Sequence, residues 1–284
     1  MAMTRVAPAV GSTPVPRLDH VMVLLDAETH RAVEETAFLA ERFGRIKVKK
    51  ADSSVAGQYS TLGVAGNSTL VELFGAALPS EAPLSGGLVF SFEEPGSSPA
   101  ARALLDAQES VGYHHDLVRR VVDGHDEPQP WYHLISVDLG QANPLLLFLN
   151  EVTPEYYASL GAQAGPGGAL RRDSYLDAVL GRPAAPGSLL RDIAAVTLLV
   201  GPERAAKLTA ALAPFGWVPR GTDLVGPGLT IGLRVGDWPR ERVAEVLLDL
   251  DPTAWTDDIP AELDFGPRSR LVFEDPTTAR WLFS

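Results

Sequence analysis

The feature that most constrains the fold is a repeated order of elements, in which one short apolar strand is followed by one helix and three more strands. The first strand covers residues 18–25, LDHVMVLL, and its length and β-branched residues are typical of a buried strand. A segment with helical apolar spacing follows it and ends near Gly44. Three further strands are predicted at residues 45–50, 57–64 and 68–74. This stretch therefore forms one β-α-β-β-β unit.

The same order recurs along the chain in element type, although not in residue identity. A third unit is predicted between residues 192 and 235, and two strands at residues 243–249 and 270–274 indicate a fourth unit without its helix. The second unit has predicted strands at residues 87–92, 117–122, 131–139 and 145–151. The predicted fold class is α+β: tandem βαβββ units form half-open curved sheets around a pocket, helices cover the outside, and the last two units are degenerate.

Composition divides the chain into four segments. Residues 1–16 contain three prolines and no apolar periodicity, which predicts a disordered leader. Residues 17–152 hold the paired units that form the functional domain, and residues 153–187 form a helical connector that ends in a linker rich in Pro, Ala and Gly. Residues 188–284 hold the degenerate units, for which we expect a structural or dimer-forming role.

The charge balance and the absence of cysteine exclude several classes of function. The net charge is -12, so we expect neither nucleic acid nor a membrane as a partner. No apolar run approaches the roughly 20 residues that span a bilayer. With no cysteine in the chain, a metal ion would need His, Asp, Glu or water as ligands. The absence of cysteine fits a cytoplasmic protein. The partner that we expect is a small-molecule substrate, and a homodimer is the alternative assembly to a monomer.

His20 and Glu72 are the candidate functional residues of the first unit, because each lies among apolar residues on one face of a strand. Burying an ionised Glu is unfavourable unless it is paired or bound to a metal. Imidazole and carboxylate together are suitable ligands for Fe, Mn, Ni or Zn. The apolar neighbours on these two faces are Met22, Leu24, Leu70 and Phe74.

These two strands carry a resemblance to a known superfamily. The segments LDHVMVLLD and TLVELFG resemble the vicinal oxygen chelate superfamily, which includes glyoxalases, bleomycin-resistance proteins and extradiol dioxygenases. Within it, ETAFLAERF, a PWY segment before a strand and a long helical tail are similar to an uncharacterised glyoxalase-like family. The resemblance covers most of residues 18–200. It implies that His20 and Glu72 bind a divalent metal ion.

The second unit departs from this pattern, because its first strand, GGLVFSFEE, contains no histidine. His133 and Glu151 are the candidate ligands that would complete a metal set, and His133 is also a candidate catalytic residue beside His20 and Glu72. Each of the four has an alternative role. His20 would then be a pocket histidine without metal, Glu72 a hydrogen-bonded buried carboxylate, His133 a structural residue and Glu151 the polar end of its strand.

Several other residues have both a pocket and a structural interpretation. Arg119 and Arg120 could bind a carboxylate or phosphate, although a solvated strand edge is favoured. The alternation of Ile46 and Val48 with basic residues predicts a strand with one wet face. His114 and His115 are interpreted as loop residues. The aromatic residues that could line a pocket or pack in a core are Trp131, Tyr132, Tyr156 and Tyr157.

Three functional hypotheses follow. The first is a divalent-metal-dependent lyase, isomerase or dioxygenase that acts on a small oxygen-rich metabolite, as in secondary metabolism. The second is a metal-free enzyme in which His20 or Glu72 acts as acid or base. The third is a small-molecule binding protein such as a drug-sequestering resistance protein.

Overall fold

The computed structural model describes residues 13–54, 57–75, 83–121, 126–140, 142–181 and 187–284. The first twelve residues of the expected leader and residues 182–186 of the expected linker lie outside this part. Of the leader, Pro14 and Pro16 are described, and both are buried. No helix among the described residues is long and apolar enough to cross a membrane.

The first sheet curves around a central pocket. Its strand order is β1-β4-β3-β2-β6-β7-β8-β5, and β5 returns to pair with β1. Strands β2 and β6 share a single paired position, Ser53 with Arg120. The strand pairing of this sheet is therefore shortest between β2 and β6. The strands are β1 (Arg17–Leu24), β2 (Arg45–Ser53), β3 (Gly57–Ala65), β4 (Leu70–Phe74), β5 (Gly86–Ser91), β6 (Tyr113–Arg120), β7 (Gln129–Val137) and β8 (Leu145–Val152).

Helices accompany each unit of this sheet and the connector after it. Asp26 begins the first helix by accepting a hydrogen bond from the backbone N–H of Thr29. A short π-helical turn, Leu39–Phe43, then leads the chain into β2. The helices are α1 (Ala27–Glu35), α2 (Ser97–Asp106), α3 (Pro154–Ser159) and α4 (Arg172–Leu180).

The second sheet is open and contains the last two units in the order β10-β11-β12-β9-β13-β16-β15-β14. In the third unit β9 and β12 pair in parallel, whereas β13 and β16 of the fourth unit pair antiparallel and no α-helix accompanies them. The elements are β9 (Leu190–Val200), α5 (Pro202–Leu212), β10 (Val218–Arg220), β11 (Asp223–Gly226), β12 (Leu229–Val235), β13 (Arg242–Leu250), β14 (Glu262–Asp264), β15 (Ser269–Asp275) and β16 (Thr278–Phe283).

This architecture confirms the predicted fold class, including the degenerate last units. One predicted segment needs correction: His114 and His115 lie within β6, which begins at Tyr113, and not in a loop. Most of β6 is exposed or half-buried, so its sequence lacks the apolar alternation by which a strand is recognised.

The two sheets pack against each other behind the pocket. The rings of Phe90 and Trp217 lie edge to face with centroids 5.5 Å apart. The Asp192 carboxylate at the start of β9 accepts hydrogen bonds from the backbone N–H groups of Ser68 and Thr69, both at 2.8 Å. The second sheet therefore supports the turn that leads into β4, the strand that carries Glu72.

We expect Asp192→Ala to lower the free energy of unfolding by about 1–3 kcal/mol, because the Ser68 and Thr69 N–H groups lose their acceptor. Asp275→Ala is the matched control, since Asp275 accepts from the Thr277 N–H in an exposed turn. Urea unfolding of the two variants checks this. Equal and small losses of stability would contradict the role assigned to Asp192.

Candidate functional site

A β-bulge brings two consecutive residues of β1 to the pocket. In the antiparallel pairing with β5, Leu18 lies opposite Phe90 but His20 lies opposite Val89, so Asp19 is the extra residue. Asp19 and His20 both line the pocket. Strict alternation would have directed Asp19 to the other face, and for this reason sequence reasoning missed it.

Five side chains, in which basic residues alternate with carboxylates, form a continuous line along the pocket wall. Arg172 Nη2 lies 2.7 Å from Asp19 Oδ1, and the same oxygen lies 2.7 Å from His20 Nδ1. His20 Nε2 lies 3.2 Å from Glu72 Oε2, and Lys49 Nζ lies 3.6 Å from Glu72 Oε1. We call these five residues the charge chain. The expected approach of His20 and Glu72 is thus observed, within a larger network than the sequence predicted.

The ionised form of each carboxylate in the charge chain is stabilised by its neighbours. Burial alone would raise the pKa of Asp19, but Arg172 and His20 hold that pKa well below its usual range. Burial opposes ionisation of Glu72 in the same way, and Lys49 and His20 lower its pKa. Burial would lower the pKa of Lys49, yet the Glu72 carboxylate raises it above the usual lysine range.

His20 uses both of its ring nitrogens within the charge chain. Asp19 lies at Nδ1 and Glu72 at Nε2, and an ionised carboxylate can only accept a hydrogen bond. The contact at Nδ1 is a hydrogen bond, and the contact at Nε2 is an ion pair with Glu72. In this arrangement neither nitrogen is free to exchange a proton with a ligand.

The residues around Glu72 do not fit a divalent metal ion as they are arranged. Glu72 Oε1 accepts a hydrogen bond from Thr61 Oγ1 at 2.8 Å and lies beside the Lys49 ammonium, while Oε2 faces His20. An ammonium group at this distance already balances the carboxylate charge and would repel a cation. Within the described ranges, no three His, Asp or Glu side chains are grouped so that they could hold one ion.

His133 and Glu151 lie on the opposite face of the sheet from the pocket. They are cross-strand partners on β7 and β8, and alternation directs both away from the residues that line the pocket. The His133 ring stacks on His115, with centroids 5.7 Å apart. The Glu151 carboxylate accepts hydrogen bonds from the backbone N–H groups of Gly96 and Ser98, where it caps α2. The structure thus separates these two residues from His20 and Glu72.

The pocket faces of β5 and β8 in the second unit carry neutral polar side chains. On the pocket face β5 presents Ser91 and β8 presents Asn150, and these two residues pair in register. The second unit therefore contributes polar groups to the pocket but no ionisable group from these two strands.

Lys49 reverses an expectation about β2. The alternation of Ile46 and Val48 with basic residues predicts a strand whose basic face is exposed to solvent. In the structure, that face is turned toward the pocket. Lys49 reaches Glu72, and the ammonium group of Lys47 donates to the backbone carbonyl of Val179 in α4. Val48, between them, is 49% exposed. The inner face of β2 is polar because it borders a pocket and not a packed core.

Helix α4 places Arg172 at the pocket. The Glu93 carboxylate accepts a hydrogen bond of 2.8 Å from the Arg172 backbone N–H, in the first turn of the helix. Further along, Asp177 accepts a hydrogen bond of 2.6 Å from the buried Arg45 of β2. The connector is therefore tied to both units, and Arg172 itself is only 5% exposed. No local sequence signal identifies Arg172 as a site residue, since its partners are distant in the chain.

The pocket has a volume of about 890 Å³, enough for a small organic molecule. Lys49 Nζ lies 4.9 Å from the ring centre of Trp131 and 5.5 Å from that of Tyr59. Burial raises the pKa of Tyr175 to about 12, so its phenol stays neutral. Aromatic side chains line much of the wall and include Tyr59, Phe74, Trp131, Tyr132, Phe148 and Tyr175. Tyr156 also lines the pocket, whereas Tyr157 packs against Tyr175.

The charge of the pocket is opposite in sign to that of the chain. The chain has a net charge of -12, yet five basic and three acidic side chains line the pocket. Arg120 belongs to this basic set; its guanidinium donates to the Tyr156 hydroxyl and stacks over Trp131. The full set comprises Lys47, Lys49, Lys50, Arg120 and Arg172 against Asp19, Glu72 and Glu155. Such a lining favours an anionic ligand.

One family and several solved structures are similar to this chain. The profile of DUF5829, described as a family of unknown function, matches residues 18–260. No curated protein matches the sequence. A xylose isomerase-like TIM barrel/4-hydroxyphenylpyruvate dioxygenase fusion protein is 12% identical, with a TM-score of 0.47 over 87% of this chain and 39% of that chain.

Two further solved structures are a dioxygenase and a glyoxalase. Homoprotocatechuate 2,3-dioxygenase from Arthrobacter globiformis is 10% identical, with a TM-score of 0.44 over 82% of this chain and 64% of that chain. The Mn(II)-bound glyoxalase from Novosphingobium aromaticivorans is 10% identical, with a TM-score of 0.42 over 81% and 64%. This chain spans less than two thirds of the length of each of the three proteins.

We expect Lys49→Met to lower the free energy of unfolding by about 3 kcal/mol at neutral pH, because it leaves the buried Glu72 without its ammonium partner. The double variant Lys49→Met/Glu72→Gln should recover most of this loss, since the unpaired charge is removed as well. Lys207→Met is the matched control: Lys207 Nζ also lies 3.6 Å from a carboxylate, that of the exposed Glu203. Chemical denaturation of the wild type, the single variants Lys49→Met and Glu72→Gln, and the double variant gives the coupling energy. Additive effects of the two pocket substitutions would contradict the pairing.

The lowered pKa values of Asp19 and Glu72 predict acid sensitivity of the fold. Because both values lie below those of the unfolded chain, about 4, the ionised pairs stabilise the protein above that pH. This contribution is lost progressively as the pH falls further. Urea unfolding between about pH 5 and pH 3 should give a smaller loss of stability for Glu72→Gln than for the wild type. Parallel losses in the two proteins would argue against an ionised Glu72 at neutral pH.

Proposed function

We infer a function from the pocket itself, since this chain belongs to DUF5829, a family of unknown function. The proposal is that the chain binds a small organic anion with an aromatic or other planar apolar body, and that it does so without a metal ion. The binding site is the aromatic-lined pocket inside the first sheet.

The observation that carries the proposal is the charge chain in a pocket whose lining has an excess of basic groups. Lys49 is the cationic partner of Glu72, Arg172 is the cationic partner of Asp19, and His20 lies between the two carboxylates. The two acidic groups of the charge chain are thus balanced within the protein. Basic side chains such as Arg120 remain to attract a negatively charged ligand, and the aromatic walls provide apolar contact.

This proposal differs from the metal-dependent lyase, isomerase or dioxygenase that the superfamily resemblance implies. A metal ion at Glu72 would have to displace both the Lys49 ammonium and the His20 imidazole from the carboxylate. It would also lack the ligands His133 and Glu151, which lie on the other face of the sheet. The arrangement of these residues therefore favours binding without a metal.

Acid–base catalysis by His20 is less well supported than binding. For His20 to exchange a proton with a ligand, one ring nitrogen would have to leave Asp19 or Glu72. Both carboxylates are held in place by other partners: Asp19 by Arg172, and Glu72 by Thr61. The proposal is therefore a binding protein, as in the third hypothesis from the sequence.

Thermal unfolding with added Mn²⁺, Fe²⁺, Ni²⁺ or Zn²⁺, and with a chelator, tests the metal-free part of the proposal. We expect the melting temperature of the wild type to be the same under all these conditions, because Lys49 already balances Glu72. A metal that raises the melting temperature of the wild type by several degrees, but not that of Glu72→Gln, would establish a metal site and overturn this part.

Calorimetric titration with 1-naphthoate tests the binding part. We expect saturable binding to the wild type and none to Leu146→Trp, because Leu146 lines the pocket and the larger side chain fills it. Val218→Trp is the matched control, since Val218 is 47% exposed on the second sheet. Absence of binding to the wild type, or equal binding to the wild type and Leu146→Trp, would contradict the proposed site.

A further inference from the structure

We propose that Arg172 and Asn150 form the polar end of the pocket and select ligands that carry a carboxylate with a hydroxyl or amino group on the adjacent carbon. This inference deepens the proposed function and rests on it. It is based on buried polar atoms at one end of the pocket that have no hydrogen-bond partner among the described residues.

Arg172 has donor capacity that the protein does not use. Its side chain lines the pocket and is almost fully buried, but its Nε has no acceptor in the described part of the chain. Nη2 lies 2.7 Å from Asp19 Oδ1 as an ion pair, but it too has no hydrogen-bond partner among the described residues, so N–H groups on both Nε and Nη2 remain unused. A buried N–H without an acceptor is unfavourable, whereas an arginine edge matches the two oxygens of a carboxylate.

The guanidinium is held in a defined position. Glu93 accepts from the Arg172 backbone N–H, Asp19 contacts Nη2, and the Arg172 Cζ lies 4.9 Å from the ring centre of Tyr175. The Tyr175 hydroxyl in turn accepts a hydrogen bond of 3.2 Å from the Trp131 indole. A side chain fixed on three sides is preorganised for a ligand and loses little freedom on binding.

Asn150 provides the second unpaired group, and it lies at the same end of the pocket. The side-chain oxygen of Asn150 is buried without a hydrogen-bond partner among the described residues. Asn150 is the in-register neighbour of Ser91, whose hydroxyl donates to the Asp19 carboxylate that contacts Arg172. Neighbouring strands are about 5 Å apart, so one small ligand group can reach both residues.

These two groups together specify the ligand chemistry. The Arg172 edge requires an acceptor with a negative charge, and the Asn150 oxygen requires a donor. A carboxylate with a hydroxyl or amino group on the next carbon supplies both over a short distance. A phosphate ester supplies acceptors but no donor for Asn150, and its second charge would be unfavourable near Asp19.

The test uses three related probes: mandelate, phenylacetate, which lacks the hydroxyl group, and mandelamide, which lacks the charge. Calorimetric titration of the wild type should give the highest affinity for mandelate. We expect at least about a tenfold lower affinity for each of the other two, because phenylacetate leaves the Asn150 oxygen unpaired and mandelamide offers Arg172 one neutral acceptor in place of a carboxylate.

Two conservative variants assign the effect to the residues. Arg172→Lys keeps the charge beside Asp19 but removes the planar edge of the guanidinium. It should therefore lower the affinity for mandelate at least about fivefold and leave the affinity for mandelamide unchanged. Asn150→Leu should lower the affinity for mandelate to that for phenylacetate, and it should not lower the affinity for phenylacetate. Its melting temperature should equal or exceed that of the wild type, since it removes an unpaired buried group. A lower melting temperature would instead assign Asn150 a structural hydrogen bond and overturn its role here.

The outcomes separate this inference from the proposed function. If 1-naphthoate binds in a manner that Leu146→Trp abolishes, but the three probes bind equally or Arg172→Lys weakens all of them equally, the pocket proposal stands and the polar-end assignment is overturned. If neither 1-naphthoate nor any of the three probes binds, the proposed function itself fails. Higher affinity for phenyl phosphate than for mandelate would replace the carboxylate class and overturn the inference.

Discussion

The burial of two carboxylates inside a curved sheet is the constraint on which the rest of the site depends. Asp19 and Glu72 are about nine-tenths buried, and neither could remain ionised there without a positive partner. The charge chain supplies these partners in alternating order, from Arg172 to Lys49. It requires a bulge in β1, a basic residue directed inward from β2 and a helix of the connector docked over the pocket. The fold of the first 180 residues is thus matched to one electrostatic network.

This network also limits the chemistry that the pocket supports. A histidine and a glutamate on adjacent strands would be a suitable start for a metal site, but Lys49 takes the position beside Glu72 that a cation would need. The groups that remain available are donors and acceptors without partners, above all the Arg172 Nε edge and the Asn150 oxygen. Together with aromatic walls and an excess of basic side chains, they favour recognition of an organic acid over metal-assisted turnover.

The two halves of the chain divide their roles. Every described residue that lines the pocket lies between Asp19 and Leu180, so the second sheet contributes no side chain to it. The second sheet instead packs behind the first through contacts such as Phe90 with Trp217 and the hydrogen bonds of Asp192. It stabilises the turn before β4, and β4 carries Glu72. The degenerate units therefore act on the site through the position of a strand.

The sequence by itself determined the α+β class, the repeated βαβββ order and the placement of His20 and Glu72 on apolar strand faces, because these depend on periodicity and composition within short segments. Only the tertiary structure decided the rest of the site. The bulge that turns Asp19 inward, the inward direction of Lys49 and the docking of Arg172 depend on pairing register and on contacts between residues far apart in sequence. His133 and Glu151 have the composition of ligands, but the pleat of β7 and β8 places them on the face opposite the pocket.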